Sequence, residues 1–162
     1  MSVVVLLLGA DLGQAAQTFK QATESINQTI GAVTQKSSLY ISPPWGFESD
    51  TVFTNQVLII ETELLPEELL RETQVIEIEL GRTAKTQTNS YESRFIDIDI
   101  LFYDQLVMST SNLIIPHPKI PERRFTLLPL FELIPNFVHP EHNKTIAELT
   151  EQCSDPSEVN LI

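Results

Sequence analysis

The chain has 162 residues, 42% of them hydrophobic and set in short periodic runs, which supplies one core and argues against disorder. No run approaches the roughly 20 apolar residues of a membrane helix. The formal charge of −12 repels nucleic acid, and Cys153, the only cysteine, excludes an internal disulfide and points to a reducing, cytoplasmic compartment.

Val3 to Leu8 reads as a central strand, apolar on both faces. With no positive segment before it, and with Gly9 and Asp11 directly after, it is not expected to be a signal peptide. A helix fits Leu12, Ala16, Phe19, Ala22, Ile26 and Ile30, with Gly31 as its stop. Val33 to Tyr40 predicts a second strand. Ser42-Pro43-Pro44-Trp45-Gly46 continues neither sheet nor helix and reads as a stiff loop. Asn55 to Glu63 predicts a third strand. Pro66-Glu67-Glu68 opens a second helix that is expected to run to Leu80 and close at Gly81. Residues 82 to 93 are polar and patternless and read as a mobile loop. Arg94 to Tyr103 predicts a fourth strand, followed by an apolar stretch to Ile115 and the Pro116-His117-Pro118 segment. A short helix is expected around Phe125 to Ile134 and a last one over Thr145 to Gln152. This βαββαβ order with an appended C-terminal helical tail predicts a ferredoxin-like α+β sheet with helices packed on it.

The sharpest chemical signal lies on the fourth strand. Alternation puts Ile96, Ile98 and Ile100 on one face and Asp97 and Asp99 on the other. Two carboxylates two residues apart on a strand lie about 7 Å from each other. When they are partly buried they need a counter-charge, and Mg²⁺ suits one or two carboxylates completed by phosphate oxygens and water. An isolated pair of this kind is more often a solvated strand face.

Other residues add to the signal. Gln74 and Glu77 share a helix face at the edge of the apolar stripe of Leu69, Thr73, Ile76 and Leu80. Trp45, Phe53 and Phe125 offer flat walls for a heterocycle whose edge Asn55 can read. His117, Arg123 and Arg124 suit phosphate. Six of the ten Lys and Arg residues fall between positions 82 and 124, a clustering that a bound small polyanion would explain. Taken singly, each feature also fits ordinary surface or core residues. The sequence has no Walker A lysine loop, no G-x-S-x-G and no zinc-type Cys/His spacing.

Together these pieces resemble the 6-hydroxymethyl-7,8-dihydropterin pyrophosphokinase family from the first strand to about Pro140. The matching segments are Arg94 to Phe102, Pro116-His117-Pro118 with Arg123-Arg124-Phe125, Ser42 to Gly46, Phe53 to Asn55, and Gln74 to Arg82. Five matches in one order are far more specific than any one. The resemblance implies a single pyrophosphokinase domain over 1–162, expected to be a monomer. It would transfer diphosphate from ATP to the hydroxymethyl group of 6-hydroxymethyl-7,8-dihydropterin in folate biosynthesis, with AMP as the leaving product. It implies that Asp97 and Asp99 bind two Mg²⁺ ions and that Arg82 and Arg94 join them in catalysis. Gln74, Glu77, Lys85, Arg94, His117 and Arg123 would hold ATP. Ser42, Pro43, Trp45, Phe53, Asn55, Tyr91 and Phe125 would line the pterin pocket.

The sequence departs from the family pattern at the first turn, which reads Gly9-Ala10-Asp11-Leu12-Gly13 in place of G-S-N-L-G. It also departs in the 82 to 93 loop, where Ala84 and Tyr91 stand near positions that often carry arginine and Trp. A weaker grip on phosphate is expected. Two rival readings remain at this level. A two-metal nucleotidyl-transfer enzyme would release pyrophosphate in place of AMP. A ferredoxin-like binding module would show no Mg²⁺-dependent ATP binding.

Overall fold

The structure, a computed structural model, describes residues 1–10, 14–42, 52–88 and 96–162, with 82–88 as backbone alone. The elements in chain order are β1 (Ser2–Ala10), α1 (Ala15–Thr29), β2 (Gly31–Lys36), β3 (Tyr40–Ser42), β4 (Phe53–Thr62), α2 (Pro66–Thr88) and β5 (Asp97–Tyr103). They continue with β6 (Met108–Ser109), β7 (Ile114–Ile115), a 3₁₀ turn (Ile120–Glu122), α3 (Arg124–Leu133), α4 (Ile146–Gln152) and β8 (Asn160–Leu161).

The fold is mixed α/β, an antiparallel sheet covered by helices. The sheet order is β5-β1-β4-β3-β8, and β2 pairs β4 beside β3. β1 is central, and its side chains alternate between two cores. Val4, Leu6 and Leu8 face α1 and α2 with Phe19, Ile26, Leu69 and Ile76. Val5 and Leu7 face α3 and α4 with Leu127, Leu130, Ile146 and Leu149. Burial on both faces is why β1 carries an unbroken apolar run. Each fully buried Leu, such as Leu6 or Leu58, contributes about 1.5–3 kcal/mol.

Several expectations are corrected. In α1 the buried face is Ala15, Phe19, Ala22 and Ile26, so Ala15 takes the place expected of Ala16. The second strand is two strands. A register shift between Val33 and Gln35 is followed by a break at Ser37 to Leu39, where the Ser37 hydroxyl accepts the Val57 N–H at 2.9 Å. A side chain there substitutes for backbone in the ladder. α2 does not stop at Gly81. It continues to Thr88, through residues expected to be loop. A glycine inside a helix costs only about 1 kcal/mol, and the turns on either side outweigh it. The C-terminal tail is not purely helical, because β8 adds a strand against β3.

One irregularity shapes the site. Val5 pairs Phe102 while Leu6 pairs Ile100, so Leu101 is an extra residue in β5. This bulge resets the alternation. Leu101 and Phe102 both join the α3/α4 core, and Tyr103 returns to the α1/α2 side. The Leu101 carbonyl accepts the His117 N–H at 3.0 Å. It thereby ties the Pro116-His117-Pro118 segment, which follows a cis Ile115–Pro116 peptide, to the strand that carries Asp97 and Asp99.

Candidate active site

Strand register assembles the site. Gly9 of β1 lies opposite Asp97 of β5 on one side and opposite Asn55 of β4 on the other. Leu7 lies opposite Asp99, and Ser42 of β3 opposite Phe53. Residues opposite one another share a face, here the face that α3 covers. The result is a cavity of about 350 Å³ lined by Leu7, Gly9, Ser42, Phe53, Asn55, Asp97, Asp99, Arg123 and Phe125. Both carboxylates are half-buried in it.

The floor of this cavity is narrow for a reason. A Cβ on Gly9 would stand 3.0 Å from Asn55 Nδ2 and 3.0 Å from Phe53 Cε1. Asn55 is buried, and its amide donates to the Leu8 carbonyl at 3.2 Å. Its Oδ1, also buried, has no hydrogen-bond partner among the described residues. A buried acceptor in that state costs about 1–3 kcal/mol, which a ligand N–H would relieve. Phe53 and Phe125 form the wall, with ring centroids 6.3 Å apart at 58°. The Arg123 guanidinium lies 5.5 Å from the Phe125 ring centre, within cation–π range. A flat ring held face-on between the two phenyls needs about 7 Å. The rings must therefore turn and part slightly to sandwich one.

A second cavity, of about 300 Å³, adjoins the first. It is lined by Leu70, Ile98, Asp99, Ile100, His117, Pro118 and the 110–114 turn. Asp99 borders both. His117 Nδ1 accepts the Lys119 N–H at 3.1 Å, which leaves the Nε2–H as donor. Burial pushes the His117 imidazole below its ordinary value; the Asp99 charge opposes this, and those of Arg123 and Lys119 add to it.

The donor set suits one kind of metal. Among the described residues no group of three His, Cys, Asp or Glu gathers, so Asp97 and Asp99 form a pair with no third such ligand. Zinc sites take three or four protein ligands. Mg²⁺ takes one or two carboxylates and draws the rest of its shell from phosphate and water.

The structure thus brings together Asp97, Asp99, Ser42, Phe53, Asn55, Arg123 and Phe125, with His117 next door. Gln74 is exposed on α2 and lines neither cavity. Glu77 reaches the open edge of β5, where its carboxylate accepts the Ile98 N–H at 2.7 Å. Arg124 turns away from the cavity that Arg123 lines and bonds to Asp155. Pro43, Trp45, Tyr91 and Arg94 lie outside the described residues, as do the side chains of Arg82 and Lys85. Sequence reasoning missed Leu7 and Gly9 as cavity floor. The signal was present in Gly9, a glycine inside an apolar strand, which marks a close approach.

A family model described as 7,8-dihydro-6-hydroxymethylpterin-pyrophosphokinase (HPPK) matches residues 5–135. The chain belongs to the HPPK family. It is 39% identical over 142 residues to the 2-amino-4-hydroxy-6-hydroxymethyldihydropteridine pyrophosphokinase of Porphyromonas gingivalis, covering 87% of this chain and 96% of that one. It is 37% identical over 148 residues to the enzyme of the same name from Aquifex aeolicus, covering 91% and 90%. A crystal structure of Plasmodium falciparum HPPK-DHPS superposes with a TM-score of 0.78 at 17% identity, over 93% of this chain and 45% of that one. At that identity the likeness supports the fold alone. Like its relatives, this HPPK is a pyrophosphokinase of folate biosynthesis. None of its described helices is long and apolar enough to cross a membrane.

Proposed function

We propose that this HPPK moves the terminal diphosphate of ATP onto the hydroxymethyl oxygen of 6-hydroxymethyl-7,8-dihydropterin, with the pterin in the first cavity and the nucleotide in the second. What carries this reading is one lining set: two carboxylates, an arginine and a carboxamide oxygen with no partner among the described residues, all around a single cavity.

The pterin ring lies between Phe53 and Phe125, and Asn55 Oδ1 accepts from one of its N–H groups. Ser42 of β3 lines the same cavity. The nucleotide lies across Asp99 and His117, and the His117 Nε2–H donates to a phosphate oxygen. Arg123 lines the pterin cavity and offers its guanidinium to the transferred group. Asp97 and Asp99 would hold two Mg²⁺ ions, whose charge, when they are bound, offsets the charge that builds on the phosphates. The hydroxymethyl oxygen attacks the β-phosphorus, the bond from that phosphorus to the α,β-bridging oxygen breaks, and AMP departs with the electron pair. Asp99, which borders both cavities, is the carboxylate placed to take the hydroxyl proton. Chemistry of this kind depends on positioning and charge more than on covalent catalysis.

Arg82, Arg94, Lys85 and Tyr91 complete the proposed machinery, with Pro43 and Trp45 on the pterin side. The antiparallel order β5-β1-β4-β3 supports reading the sheet as ferredoxin-like. One domain over 1–162, a monomeric state and a cytoplasmic home belong to the same proposal, the last of them supported by the single cysteine.

The test is direct. Purified protein with ATP, Mg²⁺ and the hydroxymethyl pterin yields AMP, and chelation of Mg²⁺ or Asp99→Asn abolishes it. Release of pyrophosphate in place of AMP would overturn the reading in favour of nucleotidyl transfer.

A further inference from the structure

Residues 136–162 lie beyond the stretch that the family model matches, yet the end of the chain bonds to α3 and β3, two elements that wall the pterin cavity. Asp155 is buried, and its Oδ2 accepts the backbone N–H of Arg124, the first residue of α3, at 2.9 Å. Its backbone carbonyl accepts Arg124 Nε at 3.1 Å. Its Oδ1 accepts the Ser157 N–H at 2.9 Å and the Ser157 hydroxyl at 2.6 Å. α3 has no cap of its own, because Arg123 at its N-cap makes no side-chain cap bond. The first turn of a helix leaves N–H groups unsatisfied. Asp155 supplies the acceptor from 31 residues away, with its negative charge at the positive end of the helix dipole.

The two residues flanking Arg124 are Arg123 and Phe125, and both line the pterin cavity. From Asp155 the chain runs on to β8, which pairs Ile41 with Asn160 and Tyr40 with Leu161. The Ile162 N–H adds a bond to the Leu39 carbonyl at 3.0 Å. β3 ends at Ser42, which lines the same cavity. At the far end of α3, Glu132 accepts the Tyr40 hydroxyl at 2.7 Å and the Ser38 N–H at 3.1 Å. α3, the tail and β3 therefore form a closed circuit of hydrogen bonds around one side of the pocket.

We propose that Asp155 is a positioning residue and that the segment from Asp155 to Leu161 is a strap. It sets the spacing between the Arg123/Phe125 wall on α3 and the Ser42 wall on β3, and so the fit of the flat substrate. The proposal rests on the preceding reading of which substrate fills the cavity.

A strap that serves stability alone is the competing account. Thr145→Ala separates the two, because it removes the capping box of α4 in the same C-terminal region and touches neither wall. The measurement is the steady-state KM for each substrate, with urea midpoints for both variants. Asp155→Ala is expected to raise the pterin KM about tenfold, equivalent to about 1.4 kcal/mol, with kcat and the ATP KM changed far less. Asp155→Asn, which keeps a capping oxygen, recovers most of that loss. Thr145→Ala lowers the urea midpoint and leaves the pterin KM alone. A pterin KM within twofold of wild type in Asp155→Ala overturns the strap. If that variant does not fold, deletion of residues 160–162 is judged by the same criterion. A wild-type protein that neither releases AMP nor binds the pterin by calorimetry sinks the functional reading, and this proposal with it. An active wild type with unaltered variants sinks the strap alone.

Discussion

The carboxylate of Glu77 accepts the backbone N–H of Ile98 at 2.7 Å, and Ile98 is the residue between Asp97 and Asp99. Among the described residues β5 is an edge strand, so no strand pairs with this N–H, and a helix side chain takes that place. Glu77 therefore steadies the backbone from which both acids project. Glu77→Ala is expected to cost about 1.5–3 kcal/mol in urea unfolding, the usual range for a hydrogen bond to a charged group. It should also lower kcat, because the acids lose their register. Glu77→Gln, which keeps an acceptor, should lose less of both. Equal losses in the two variants would contradict this role.

Gly9 is expected to tolerate nothing larger. Its Cβ position is 3.0 Å from both Asn55 Nδ2 and Phe53 Cε1, two side chains that line the cavity proposed for the pterin. Gly9→Ala should cost about 1–3 kcal/mol, the range for overpacking, and weaken pterin binding by more than tenfold. ATP binding, in the neighbouring cavity, should change little. Calorimetric titration with each substrate separates the two effects.

Asn55 offers the reverse separation. Its Oδ1 is buried with no partner among the described residues, so the free protein gains little from it. Asn55→Ala gives up one bond, to the Leu8 carbonyl, worth about 1 kcal/mol. Pterin affinity should fall at least tenfold while the urea midpoint moves modestly. A large loss of stability with affinity intact would count against an Asn55 contact to the substrate.

Stability should fall on mild acidification, and His139 is one cause. It is buried against Phe102, and its Nδ1 accepts the N–H groups of Glu141 and His142. Burial, and next the charge of His142, push its imidazole down to about 4 from an ordinary 6.5. The unfolded chain therefore binds the proton first. The contribution is complete above pH 6.5 and is lost as pH falls from there toward about 4. His139→Asn keeps an acceptor and removes the titration. Between pH 7 and pH 5 its urea midpoint should drop less than that of wild type.

Tyr40 and Glu132 should be coupled. The phenol donates to the carboxylate at 2.7 Å. Burial first, and then that hydrogen bond and charge, raise the Tyr40 pKa above its ordinary value, so the phenol stays protonated through the working range. A double-mutant cycle with Tyr40→Phe and Glu132→Gln should return about 1 kcal/mol of interaction. Additive effects would rule out the bond as a stabilising contact.

Much of the site was legible because it rests on local periodicity. Ile96, Ile98 and Ile100 alternate with Asp97 and Asp99, so the two acids share a face in any strand register. The apolar stripe Leu69, Thr73, Ile76 and Leu80 likewise requires only a helix, and the structure buries or half-buries every one of them. The end of α2 was not legible. Gly81 is a weak stop, and the backbone continues through it. The two-part second strand was hidden too, because its break depends on Ser37 meeting Val57 across the sheet.

The sequence by itself determined that a paired-acid strand, a set of aromatic side chains and a cluster of cations occur in one α/β chain. These follow from residue type and spacing along one segment. Only the tertiary structure decided that Gly9 lies between Asp97 and Asn55, that Arg123 enters the cavity while Arg124 is held by Asp155, and that a bulge at Leu101 brings His117 alongside Asp99. Each of these joins residues distant in the chain through strand register or a single hydrogen bond. A one-residue change of register would turn such side chains to the opposite face, and no local pattern records which register the packed sheet adopts.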